Sequence, residues 1–89
     1  LAARLGGEEF AVLLPPPENA NAMHHAEALR AAVAAAPAIH AFQDGEVGID
    51  VTVSIGIAVG NGGIDGLLRD ADAALYGAKS DGRNCVRFA

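Results

Sequence analysis

The sequence predicts an α+β fold, in which helices pack on a mixed sheet that contains an antiparallel hairpin. Three observations favour this class. Four short runs are rich in the bulky and β-branched residues that are typical of strands. Two alanine-rich segments repeat apolar residues at helical spacing. The segments follow the order β–α–β–β–α–β, and turn signals separate neighbouring strands.

The first predicted strand covers residues 9–14, which read EFAVLL. Three consecutive prolines, residues 15–17, follow it, and proline cannot continue the interior of a strand. Gly6 and Gly7 precede it, and a glycine pair is a turn signal. We therefore predict a hairpin that turns at this glycine pair. Residues 9–14 form its second strand, and its other strand begins upstream of residue 1.

A helix is predicted over residues 19–36. Asn19 or Asn21 is suited to cap its start, and Pro37 is suited to end it. Alanine raises the helix propensity of the segment. The positions that form its apolar stripe are Ala22, Ala26, Leu29, Val33 and Ala36.

Two further strands, residues 39–43 and 47–59, are predicted on either side of a turn at residues 44–46. In the second strand, bulky residues alternate with small ones such as Ser54 and Gly56. Because successive side chains of a strand point to opposite faces, one face is bulky and the other is small. We expect a helix to lie close against the small face and this strand to be central.

The second helix is predicted over residues 65–79, with Asp65 as its cap and Gly82 as the left-handed residue that ends it. A final short strand covers residues 84–88. The apolar stripe of this helix consists of Leu67, Leu68, Ala71, Ala74, Leu75 and Ala78.

Composition limits both stability and function. The 89 residues are 52% hydrophobic, but many are alanine, only 4% are aromatic, and the net charge is −5. A domain of this size buries a small core and is a marginal folder by itself. The acidic balance disfavours DNA or RNA as a partner, and no apolar run is long enough to cross a membrane, so we expect no membrane contact by this segment. The single Cys85 is compatible with the cytoplasm.

Two groups of side chains could carry chemistry. Glu8 and Glu9 adjoin the glycine pair, where carboxylates can hold Mg²⁺ and the glycine backbone lets a phosphate approach. Taken alone, a solvated hairpin tip is the commoner explanation of such a pair. Lys79 and Arg83 could neutralise a triphosphate. The alternative for these two cations is compensation of the dipole at a helix C-terminus.

Three segments together resemble the GGDEF family. Residues 4–10, RLGGEEF, are similar to the R-x-GG[DE]EF motif that names the family. Residues 51–58, VTVSIGIA, resemble its later core strand. Residues 70–84 resemble its terminal A-D-x-A-L-Y-x-A-K-x-x-G-R-N segment. The segments occur in family order and cover nearly the whole chain, which makes chance agreement very improbable.

The resemblance implies a role for each candidate residue. Gly6 and Gly7 would lie along the phosphates of GTP, and Glu8 would bind Mg²⁺, or Mn²⁺ in its place, and help activate a 3′-hydroxyl. Glu9 would support this geometry, and the two basic residues, Lys79 and Arg83, would contact the phosphates. The activity implied is that of a bacterial diguanylate cyclase, a homodimer that condenses two GTP into the second messenger cyclic di-GMP and releases pyrophosphate.

The resemblance also implies that the fold is partial. A complete family domain, with its nucleotide cyclase and polymerase palm-like fold, is longer, and its N-terminal half carries a metal-binding Asp, the groups that read guanine, and an R-x-x-D inhibitory motif. We therefore expect residues 1–89 to be the C-terminal part of a single domain and catalytically incomplete alone. The alternatives are a non-catalytic module that binds GTP or cyclic di-GMP as a regulator, and a purely structural fragment. The intact glycine–glutamate motif favours the cyclase.

Overall fold

The computed structural model describes residues 2–6, 9–15, 18–36, 39–42, 45–48, 51–60 and 62–89. These described residues include two α-helices, α1 (Ala22–Ala35) and α2 (Ile64–Ser80), and a short 3-10 helix, Glu18–Asn21, precedes α1. The strands are β1 (Ala2–Gly6), β2 (Glu9–Val12), β3 (Ile39–Phe42), β4 (Gly45–Gly48), β5 (Ile55–Ile57) and β6 (Val86–Phe88).

The strands form three pairs within the described residues. β1 pairs with β2 and β3 pairs with β4, both antiparallel, whereas β5 and β6 are parallel. The helix α2 connects the two parallel strands, as such a pairing requires. The presence of antiparallel hairpins, a parallel pair and helices confirms the predicted α+β class.

The N-terminal hairpin is confirmed. Ala2 is opposite Val12, and Arg4 is opposite Phe10, with an irregularity in the register before the last pair. The first strand is assigned from Ala2 onward, and residue 1 lies outside the described residues. The hairpin fixes the chain direction at Gly6 and at Glu9, the described residues on either side of the predicted glycine turn.

The prediction of one continuous strand over residues 47–59 is wrong. β4 ends at Gly48 and pairs with β3, whereas β5 begins at Ile55 and pairs with β6. The two parts have different partners, so the ladder does not continue from one to the other. A period-2 pattern records which residues share a face, but it carries no information about the partner of each part.

Both helices agree with the sequence in extent, but the predicted N-cap of the second helix, Asp65, is wrong. The N-cap residue of α2 is Gly63, and Asp65, the predicted cap, lies inside the first turn, where its charge is favourable to the helix dipole. Asn21 occupies the N-cap position of α1 without a capping hydrogen bond from its side chain. The predicted last strand also begins later, at Val86, because the residues before it form the turn after α2.

The core lies between α2 and the parallel pair. Its buried hydrophobic residues, within the described part of the chain, are Ile57, Ala74, Ala78 and Val86. The predicted close contact of a helix with the small face of the strand is confirmed, because Gly56 lies directly against the α2 backbone at Ala71 and Leu75. The expectation that β5 is central in a larger sheet stays a prediction. No helix in the described ranges is long and apolar enough to cross a membrane.

Candidate functional site

A broad cleft of about 960 Å³ separates the N-terminal hairpin from the helical layer. Side chains of β1 and β2, among them Leu5 and Phe10, line one wall. Residues of α1, of the stretch 51–60 and of α2 line the other walls. The described lining is mainly apolar, and its charged side chains are those of Asp72, Lys79 and Arg83.

The hairpin closes at the predicted motif. Gly6 pairs with Glu9, so the chain reverses direction between them. Gly7 and Glu8, which carry the predicted phosphate and metal contacts, lie outside the described residues. For Gly6 and Glu9 the structure gives the backbone position at the ends of β1 and β2. The metal role of Glu8 and the supporting role of Glu9 stay predictions.

The two predicted cations lie at the C-terminal end of α2. Lys79 is half-buried in the last helical turn, and Arg83 is exposed in the turn that follows. Both line the cleft, together with strand residues of the hairpin such as Ala3 and Ala11. The structure therefore brings the cations to the same cleft as the strands that lead into and out of the glycine bend.

The backbone itself completes the end of α2. Gly82 has a φ of 112°, and its N–H donates to the carbonyl oxygen of Lys79 at 3.4 Å. The N–H of Arg83 donates to the carbonyl oxygen of Ala78 at 3.0 Å, and the N–H of Asp81 donates to that of Gly77. These bonds form a Schellman motif, as the sequence predicted for Gly82. Backbone N–H groups thus satisfy the carbonyls of Gly77, Ala78 and Lys79. Lys79 also lies in the last helical turn, where a positive charge is favourable to the helix dipole, so the structure is compatible with both explanations of the cations.

A polar network beside this turn was not foreseen from the sequence. The Nη1 of Arg30 on α1 donates to Oδ1 of Asn84 at 2.9 Å, and the backbone N–H of Asn84 donates to Oγ of Ser54 at 3.1 Å. Arg30 also donates from Nε and Nη2 to Oε1 of Glu27. Only the i,i+3 spacing of Glu27 and Arg30 is a signal that sequence alone contains. The other partners are distant along the chain.

Electrostatics at the network follow from these hydrogen bonds. The bond from Arg30 holds the pKa of Glu27 below its ordinary value of 4.5, and the same bond raises the pKa of Arg30. On the other side of the turn, a hydrogen bond to Asp81 raises the pKa of Arg87. The Arg30–Glu27 pair is therefore fully charged at neutral pH.

Among the described residues, the His, Cys, Asp and Glu side chains form no group of three or more that could hold a metal ion. That search does not reach Glu8. Two adjacent carboxylates at a glycine bend supply the hard oxygen donors that Mg²⁺ prefers, and Mg²⁺ usually completes its shell with water and substrate phosphates. The chemistry of the donor pair therefore fits the metal that the motif implies.

The chain has recognisable relatives. Residues 1–85 match the family described as "Diguanylate cyclase, GGDEF domain". The chain is 40% identical over 89 residues to the response regulator PleD of Caulobacter vibrioides, an alignment that covers 97% of this chain and 19% of PleD. It is 44% identical over 92 residues to the diguanylate cyclase DgcM of Escherichia coli K12, covering 97% of this chain and 20% of DgcM. The chain thus spans about a fifth of the length of these relatives.

Proposed function

The chain belongs to the GGDEF family, and from this membership we propose that it is the C-terminal part of a domain that condenses two GTP molecules into cyclic di-GMP. The geometric observation that supports the proposal is the shared cleft: Lys79 and Arg83 line it together with the hairpin strands that flank the glycine–glutamate motif. Among the described residues that line the cleft, Lys79 and Arg83 outnumber the one carboxylate, Asp72, and this local excess of positive charge would favour an anionic ligand despite the net charge of the chain.

The proposed reaction is a phosphoryl transfer that occurs twice. The 3′-oxygen of one GTP attacks the α-phosphorus of the other, the bond from that phosphorus to the bridging oxygen breaks, and pyrophosphate leaves. Glu8 would hold Mg²⁺, or Mn²⁺, which when bound supplies charge neutralisation and favours ionisation of the attacking hydroxyl, and Glu9 would support this geometry. Lys79 and Arg83 would bind the phosphates and hold them in line, and Gly6 and Gly7 would let the phosphates approach the backbone.

Because the product contains two nucleotides and each cleft is proposed to bind one GTP, the proposed active form is a homodimer whose two sites face each other. The proposed compartment is the cytoplasm, where GTP is available and a free thiol such as that of Cys85 persists. Residues 1–89 alone are proposed to be catalytically incomplete, because in the family that they resemble the metal-binding Asp and the groups that read guanine lie in the N-terminal half of the domain.

The test uses the full-length protein. Purified protein is incubated with GTP and Mg²⁺, and mass spectrometry identifies the product, which we expect to be cyclic di-GMP. The Glu8→Ala variant is expected to lose turnover while its circular dichroism spectrum is retained. The matched control is Asp70→Ala, which removes an exposed carboxylate from α2 and is expected to leave turnover unchanged.

The outcomes separate the candidate functions. Wild-type turnover in Glu8→Ala would refute the assignment of the metal ligand. GTP or cyclic di-GMP binding without turnover by the unmodified protein would favour the alternative, a non-catalytic regulatory module.

A further inference from the structure

Arg30 makes the side-chain connection between α1 and the turn after α2. Its side chain is 20% exposed, and its guanidinium carries a full charge. Glu27 accepts from Nε and Nη2, and this leaves Nη1 directed at Oδ1 of Asn84, 54 residues along the chain. The two hydrogen bonds to Glu27 fix the plane of the Arg30 guanidinium, so Nη1 donates to Asn84 in a restricted orientation.

Asn84 is held from a second side as well. Its backbone N–H donates to Oγ of Ser54, immediately before β5, and the next residue, Cys85, accepts from the N–H of Ile55 at 3.0 Å. The turn is therefore tied to the strand by its backbone and to α1 by the side chain of Asn84. Each tie constrains the residue next to Asn84, which is Arg83.

The backbone of this turn is strained. Gly82, Arg83 and Asn84 have φ values of 112°, 63° and 49° in succession. Asparagine tolerates the left-handed region because of its short polar side chain, whereas arginine has no such compensation. A non-glycine residue stays in this region only where its surroundings impose it, and such positions occur at functional sites. The Schellman motif holds Arg83 on one side, and the anchored Asn84 holds it on the other.

We propose that Arg30 is a positioning residue for Arg83: through Asn84 it holds the turn in the left-handed conformation that presents the Arg83 guanidinium to the cleft. This rests on the proposed function, in which Arg83 binds the phosphates of GTP. Without the Nη1 bond, Asn84 loses its tie to α1 and the turn gains conformations in which Arg83 faces away. Arg30 itself touches no substrate in this scheme, so its loss weakens phosphate binding and not the chemical step.

The experiment measures the affinity of the full-length protein for GTP with Mg²⁺ by equilibrium binding, and turnover in parallel. Arg30→Gln is expected to weaken GTP binding by roughly 5- to 20-fold, the range set by loss of one charge-assisted contact. The maximal rate at saturating GTP should change much less. Asn84→Ala should have the same effect, and the double variant should be no weaker than either single one. The matched control is Arg69→Gln, which removes an exposed cation from α2.

A second comparison separates positioning from general destabilisation. In an Arg83→Ala background, Arg30→Gln should cause no further loss of affinity, whereas a structural effect would add to it. The proposal is overturned if Arg30→Gln alters GTP affinity no more than Arg69→Gln, or if its effect persists without Arg83. GTP binding without cyclic di-GMP formation would contradict the cyclase alone, since the affinity comparison still decides the role of Arg30. Failure of the unmodified protein to bind GTP would overturn both.

Discussion

Gly56 lies so close to Leu75 that a Cβ atom at position 56 would meet the backbone nitrogen of Leu75 at 2.3 Å. The carbonyl oxygen of Ala71 would be even nearer, at 2.2 Å. Both obstacles are backbone atoms of α2, so they cannot move aside as a flexible side chain would. The glycine therefore sets the distance between β5 and the helix that carries Lys79.

The first prediction follows from this contact. Gly56→Ala forces α2 away from β5 in the centre of the small core, and we expect it to lower the free energy of unfolding by about 2–3 kcal/mol, the upper part of the range for overpacked cores. Urea denaturation of the full-length protein, followed by circular dichroism, measures the change.

The control for this substitution is Gly77→Ala in the same helix. A Cβ at position 77 meets no atom within 4 Å, and alanine is the better helix former, so we expect a gain of roughly 0.5–1 kcal/mol. Equal effects at the two positions would show that α2 does not approach β5 as described.

The second prediction concerns Gly82. At its φ of 112° a side chain is strained whatever the free space around it, so Gly82→Ala should cost about 1–2 kcal/mol of stability. Gly62→Ala, where a Cβ also meets nothing within 4 Å, is the matched control and should stay within about 0.5 kcal/mol of the unmodified protein. Similar denaturation midpoints for the two variants would contradict the left-handed cap.

Gly56 and Gly82 illustrate what the sequence could predict. Both predictions depended on local patterns, namely alternation of bulky and small residues and a glycine after a helical stripe. The hairpin at Gly6-Gly7 depended on a local turn signal in the same way. Local rules extend over a few residues, and the helices and the hairpin lie within that range. The contact of Gly56 with α2 joins more distant residues, but the small residues that allow it are visible in the strand itself.

The break in the predicted strand over residues 47–59 and the Arg30–Asn84 bond could not be predicted in this way. Bulky and small residues alternate in the same way whether a strand keeps one partner or changes to another. The change of partner between β4 and β5 therefore could not be predicted from the alternation of residues 47–59. The Arg30–Asn84 bond depends on how α1 packs against a turn 54 residues later. The candidate cations were found because of their spacing and the motif resemblance, whereas the residue that we propose positions one of them had no such signal.

The third prediction is the pH response of the Arg30–Glu27 pair. The hydrogen bond lowers the pKa of Glu27 below 4.5 in the folded state, so the stabilisation is complete above the unfolded pKa and is lost as pH falls through the folded one. The difference in stability between the unmodified protein and Glu27→Gln should therefore be constant above about pH 5.5 and shrink in acid.

Carboxyl ¹³C NMR titration tests the cause of this shift directly. Arg30→Gln should raise the pKa of Glu27 towards its ordinary value, whereas Arg87→Gln, which breaks the separate pair with Asp81, should leave it unchanged. If the pKa of Glu27 in the unmodified protein were not lowered, the Arg30–Glu27 pair would not persist in solution.

The last prediction concerns association of the 89-residue chain. In the described part of the structure only four hydrophobic residues are buried, while Phe10 and Val12 on β2 are 70% and 64% exposed. Both side chains lie on the same face of β2, whose described partner is β1 alone. The N-terminal hairpin therefore combines an apolar face with an open strand edge, and such an edge is a template for pairing with another chain.

We expect the sedimentation coefficient to rise with concentration between roughly 1 μM and 1 mM. Phe10→Ser combined with Val12→Thr should reduce this rise, while Tyr76→Ser, which removes a side chain that is 74% exposed on α2, should not. A well-folded monomer over the whole range would disprove association, and an equal effect of Tyr76→Ser would assign it to α2 and not to the strand edge.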